Sequence, residues 1–111
     1  MTRYVQKGEA VDYRPAEAVA AGDVIVQGSL VGVARLDIAP GTLGALAVVG
    51  VFDAPKGSGE IAVGTPLYWD AKNKQATPTQ SGNQYLGKAV AQAAANDEMV
   101  RFLLNAPYVA V

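Results

Sequence analysis

The apolar positions of this chain fall in short runs, each closed by Gly, Pro, Asp or Asn, and no run keeps a helical spacing for long. That punctuation predicts a β protein with many turns. Residues 2–6 (TRYVQ) read as a short strand or a free arm ahead of the first convincing strand. Residues 15–22 (PAEAVAAG) are the first helix candidate, with Pro15 at a first helical position and Gly22 at the stop, one or two turns at most. After Ala21-Gly22-Asp23, the β-branched run Val24-Ile25-Val26 predicts a strand. Gly28-Ser29 turns, and Leu30 to Arg35 returns. Ala39-Pro40-Gly41 is a further turn.

The hydrophobic signal peaks at 44–52 (GALAVVGVF). As one strand it puts Leu46, Val48 and Phe52 on one face and Ala45, Ala47, Val49 and Val51 on the other. Such a strand needs cover on both sides, by a core and by a neighbouring subunit. A polar Gly/Pro loop (53–60) follows. Residues 66–79 then predict a hairpin around Asp70-Ala71-Lys72-Asn73-Lys74. The last strands are expected over 84–91 and 98–105. The segment 88–95 (KAVAQAAA) has helical propensity, but Tyr85-Leu86 and Val90 continue an extended pattern, so it is read as strand then turn.

A weak internal echo runs through this pattern. Gly22-Asp23-Val24-Ile25-Val26 followed by Val31-Gly32-Val33-Ala34 resembles Gly64-Thr65-Pro66-Leu67-Tyr68 followed by Leu86-Gly87-Lys88-Ala89. A Gly inside such a strand marks a bulge or a close backbone approach.

Composition sharpens this picture. With 111 residues there is room for one domain, expected over 9–111 behind an arm at 1–8. Half the residues are hydrophobic, but many are Ala and Val, which make a thin core; charged residues are only 17%. Both features point to surface hidden in a subunit interface. A net charge of −1 with no basic stripe argues against nucleic-acid binding. No apolar run approaches the roughly 20 residues of a membrane span, and the first ten residues lack the apolar segment of a signal peptide. The absence of Cys and His removes disulfides, thiolate chemistry, Cys/His zinc sites and Ser-His-Asp triads. No catalytic, cofactor or metal residue is expected.

One stretch imitates a catalytic motif. Gly82 to Lys88 fits G-x-x-x-x-G-K, the phosphate-cradling loop. Ala89 stands where a Ser or Thr should hold Mg²⁺, and polar turn residues precede it instead of a buried strand. Gly82 as a turn and Gly87 as a strand kink explain the match. The acidic residues are scattered at predicted turns, where Asp side chains bond to the backbone. In a strand, Tyr68 and Trp69 point to opposite faces, so one is expected in the core and the other at an interface or the surface.

The ordered set Ala21-Gly22-Asp23, Val31-Gly32-Val33-Ala34, Gly50-Val51-Phe52 with Pro55-Lys56, Leu67-Tyr68-Trp69-Asp70, and Leu86-Gly87-Lys88-Ala89 resembles a family of small phage and prophage proteins, DUF2190. That family is regarded as capsid cement or decoration protein, and its members have sometimes carried a recombinase label. The similarity runs over roughly residues 8–105. It implies an all-β, small β-barrel-like domain, of β-tulip or β-clip type, with at most one or two short helices. It further implies a homotrimer on the outside of a tailed-phage head, made in the host bacterial cytoplasm, with the major capsid protein as partner and no cofactor or enzymatic activity. Interface residues expected from the sequence are Arg3, Tyr4, Val5, Val49, Val51 and Trp69; the arm's Tyr4 and Val5 can add to an exposed sheet edge. The alternative is a small β-barrel ligand-binding or accessory domain.

Overall fold

Short β-branched runs closed by turns give nine strands in the computed structural model, which describes residues 2–107; Met1 and 108–111, which the sequence assigns to the arm and the domain, lie outside the described residues. The strands are β1 (Ala10–Tyr13), β2 (Val24–Gln27), β3 (Leu30–Ala34), β4 (Gly44–Ala47), β5 (Val51–Pro55), β6 (Pro66–Asp70), β7 (Gln75–Thr77), β8 (Gln84–Ala89) and β9 (Met99–Leu104). They form two antiparallel sheets, ordered β1-β4-β3-β2 and β5-β9-β8-β6-β7. The all-β reading holds, and the sheets stay open rather than closing into a barrel. A single parallel bridge from Lys56 to Ala76 draws β7 towards the end of β5.

The hairpins fall where the turn residues place them: β2–β3 around Gly28-Ser29, and β6–β7 around Asp70 to Lys74. The 88–95 segment is strand to Ala89, then an isolated bridge at Ala93 and a turn. The helix expected at 15–22 is not formed. Val19 instead bridges Ile38 in both directions, N–H to carbonyl at 2.9 and 2.8 Å, so the segment is held extended by long-range pairing that outweighs its alanine propensity.

The larger correction concerns 44–52. It is two strands in different sheets, β4 and β5, joined across Val48 to Gly50. Gly50 sits at φ +131°, a conformation that L side chains avoid, and there the chain leaves one sheet for the other. The run is apolar on both faces because its two ends serve two cores. Leu46 enters a small core with Val19, Ala34 and Ile38. Phe52 packs on the main core, where Val31 and Val33 of the first sheet meet Leu67, Trp69, Leu86, Val100, Phe102 and Leu104 of the second.

The internal echo is structural. Without β7, the second sheet repeats the order of the first, and the hydrogen bonds repeat with it. Gly22 N–H donates to Ala34 O as Gly64 N–H donates to Ala89 O. Ala34 pairs with Leu46 as Ala89 pairs with Phe102, and Val24 pairs with Val33 as Pro66 pairs with Lys88. Val48 N–H reaches Glu9 O as Leu104 N–H reaches Gly50 O. The Val19–Ile38 bridge corresponds to Ile61–Ala93. The cations do not correspond: Lys56, which donates to Ala94 O and Asp97 O, stands at the place of Pro15, while Arg14, which donates to Gly41 O, stands at the place of Pro55.

Candidate interaction surface

Polar chemistry in this fold is spent on turns. The carboxylates of Asp23, Asp37, Asp70 and Asp97 each accept from a backbone N–H, at 2.8 to 3.2 Å. The Asp70 carboxyl also accepts from the Asn73 amide; that bond first, then the Asn73 N–H, holds its pKa below the usual 3.8. Asp53 and Arg101 lie directly opposite each other on β5 and β9 in a two-point pair at 3.0 and 3.2 Å. The guanidinium lowers the Asp53 pKa, and the carboxylate raises that of Arg101. Lys56, the buried cation, is bound by backbone carbonyls. Each of these groups is used in holding the fold.

The phosphate-loop imitation resolves in the same way. Gly82 lies in a turn at φ +77°. Gly87 lies inside β8, where an added Cβ would collide with the backbone carbonyl of Leu103. The stretch runs along a strand, and among the described residues no helix follows it.

What the surface offers is apolar. An open groove of about 1060 Å³ runs along the outer side of β4 and the crossover to β5. Leu36, Leu43, Val49 and Val51 stand along it, 77%, 60%, 48% and 56% exposed, with Phe52 at its floor. Glu9, Arg35 and Asp37 form a charged rim. A cluster of this kind marks an interaction surface more readily than single exposed leucines do. The crossover explains why it exists: the turn at Gly50 pushes Val49 and Val51 out between the two sheets, where neither core reaches them.

Of the residues singled out from sequence, Val49 and Val51 line this groove. Arg3, Tyr4 and Val5 lie on the arm, which has no regular structure; Tyr4 and Val5 are 79% and 82% exposed. Trp69 is in the main core, 8% exposed, and Tyr68 on the opposite face is buried too, edge-on to Tyr85 at 5.8 Å. Both faces of β6 are thus covered within one chain. Leu36 and Leu43 carry no such signal in the sequence. Each is a lone leucine among Arg, Asp, Thr and Gly, with no periodicity to separate it from loop.

A family model described as phage cement protein matches residues 5–104. No curated protein and no solved structure matches the chain.

Proposed function

The chain belongs to the phage cement protein family, and from that premise we propose that it seats on the outside of an assembled phage head, against the major capsid protein, as one protomer of a homotrimer. The family gives a structural cement role at the capsid of the virion. The observation that carries the reading is the match over 5–104, which spans both sheets and the crossover between them. In this reading the body, 9–111, supplies the groove around Val49 and Val51, and the arm, 1–8, supplies Arg3, Tyr4 and Val5, as the contact surface towards shell and neighbouring copies. Synthesis is in the host cytoplasm, and no chemical step is part of the role.

The physics supports such a use. A protein that binds only the assembled shell stabilises it by mass action, and three linked contacts gain further through effective concentration. The test is to add the purified chain to undecorated heads. Saturable uptake in multiples of three copies, with a higher disruption temperature, is expected. Heads that take up no protein, or take it up without gaining stability, would remove the reading and leave the ligand-binding alternative in front.

A further inference from the structure

The two halves of the chain differ at one place. In the second, β6 has an extra neighbour: β7 pairs antiparallel with it through Tyr68–Thr77, Trp69–Ala76 and Asp70–Gln75, and Ala76 makes the parallel bridge to Lys56 just beyond β5. β7 thereby fills the lane between β6 and the end of β5, and Ala76 is fully buried. In the first half the matching lane lies between β2 and the end of β1. Its wall β2 is the outermost strand of its sheet. A cavity of about 350 Å³ opens there, lined by Tyr13, Pro15, Val19, Asp23 and Ile25 among others. The cost is visible in burial: Val26 of β2 is 41% exposed, where its counterpart Tyr68 is 6%.

We propose that this lane takes a guest strand, residues 2–7 of a second copy of this chain. The polarity is set by the half that is filled. β7 runs antiparallel to β6 and parallel to β5, so the guest runs antiparallel to β2 and parallel to β1. A chain's own arm cannot take that place. Only Gly8 and Glu9 separate the arm from β1, and two parallel strands need a connection of about a dozen residues or more. Another copy's arm meets no such limit. The arm's composition suits a guest strand, since Thr2, Tyr4 and Val5 favour the extended state, and Arg3 and Lys7 complement the acidic Glu17 and Asp23 at the lane. Arg14, the cation near this lane, is turned to Gly41 O. The inference deepens the proposed function, since it rests on copies meeting on the shell, and it names what would join them.

The experiment places p-benzoylphenylalanine at position 4, mixes equal amounts of unlabelled and ¹⁵N-labelled chains, and irradiates them both on decorated heads and in concentrated solution. We expect mixed-isotope adducts from position 4 to the peptide carrying Val24–Gln27. Adducts to the capsid subunit, to the groove, or within one copy would overturn the inference while leaving the cement role intact. If heads take up no protein, the proposed function fails; the solution sample then decides the inference alone, for it with the β2 adduct and against it without. As a second measurement, a chain lacking residues 2–7 is expected to sediment as a monomer where the full chain is an oligomer. An unchanged oligomer overturns the inference.

Discussion

The sheet of β5 to β9 surrounds thirteen buried residues, Phe102, Leu67, Leu86 and Trp69 among them, whereas the core private to the β1–β4 sheet has four, of which Leu46 and Ile38 are the largest. Strand order and the principal hydrogen bonds are the same in both. The difference therefore lies in side chains and in one added strand. It teaches that a repeated backbone plan does not divide stability evenly. The second half anchors the fold, and the first lends it Val31 and Val33, keeps a thin core of its own, and leaves apolar surface at Leu36, Leu43 and the β2 edge.

The sharpest way to break this comparison is to open both cores. Phe102, 1% exposed, with its ring tilted against that of Phe52 at 6.3 Å, should lose about 3–5 kcal/mol of stability on truncation to Ala. Leu46→Ala, at the paired position of the first half, should lose about 2–3 kcal/mol, because fewer neighbours surround it. Urea unfolding of the two variants checks the order. Equal losses would mean the halves share one core energetically.

Next in size are the paired glycines of the echo. Gly87→Ala drives a Cβ into the Leu103 carbonyl, and only a backbone shift can relieve it. Gly32→Ala puts its Cβ 2.7 Å from that of Leu46, an atom that also moves only with its backbone, but the overlap is smaller than the one with the Leu103 carbonyl at Gly87. We expect losses of about 3 and about 1 kcal/mol. If Gly32→Ala costs more, the first sheet is the more tightly built at this step.

These positions also show what was legible in the sequence. The Gly-x-Ala steps, the Gly28-Ser29 and Asp70–Lys74 turns and the echo are local chemistry, and local chemistry is written in residue order. The sheet change at Gly50 is not: an apolar run that serves two cores reads like one doubly covered strand. The extended state of 15–22 depends on Ile38, nineteen residues beyond Val19, and no local propensity reports such a partner. Trp69 shows the same limit. Alternation told that Tyr68 and Trp69 part ways, but the Tyr85 ring beside Tyr68 and the Val31 and Val33 of the core that takes Trp69 come from elsewhere in the chain.

Two cations, one just past the end of β1 and one just past the end of β5, sharpen the comparison at a smaller scale. Lys56 Nζ, in a side chain 8% exposed, donates to the carbonyls of Gly57, Ala94 and Asp97 at 3.0 to 3.1 Å. Arg14 makes its bond to Gly41 O at an exposed site. Removing Lys56 leaves carbonyls without a donor where water enters poorly, so Lys56→Ala should cost about 1–3 kcal/mol. Arg14→Ala should stay within about 0.5 kcal/mol. Lys56→Met, which keeps the stem but not the donor, separates packing from bonding. If it restores full stability, the carbonyl contacts contribute nothing net.

The smallest expected effect is a pH dependence confined to one half. Asp12 pairs across the strands with Ala45, while Asp53 pairs with Arg101 at the corresponding place. The Arg101 hydrogen bond holds the Asp53 carboxyl below its ordinary 3.8 in the folded chain. Above about 3.8 the carboxylate is ionised whether the chain is folded or not, and the pair's stabilisation is fully present. As pH falls below that value the unfolded chain takes up its proton first. Stability then declines until the folded carboxyl also protonates, after which the contribution is gone. Arg101→Gln should therefore flatten the acid limb of the stability curve without moving the neutral plateau far, because both groups are in solvent. Salt near 1 M, where the Debye length is about 3 Å, should erase most of the difference between variant and parent. Denaturant midpoints measured from pH 2 to 6 at low and high salt provide the test. An acid limb equally steep in Arg101→Gln would show that the carboxylates capping the turns, Asp70 foremost with its own lowered pKa, carry the acid sensitivity, and that the strand pair sets register alone.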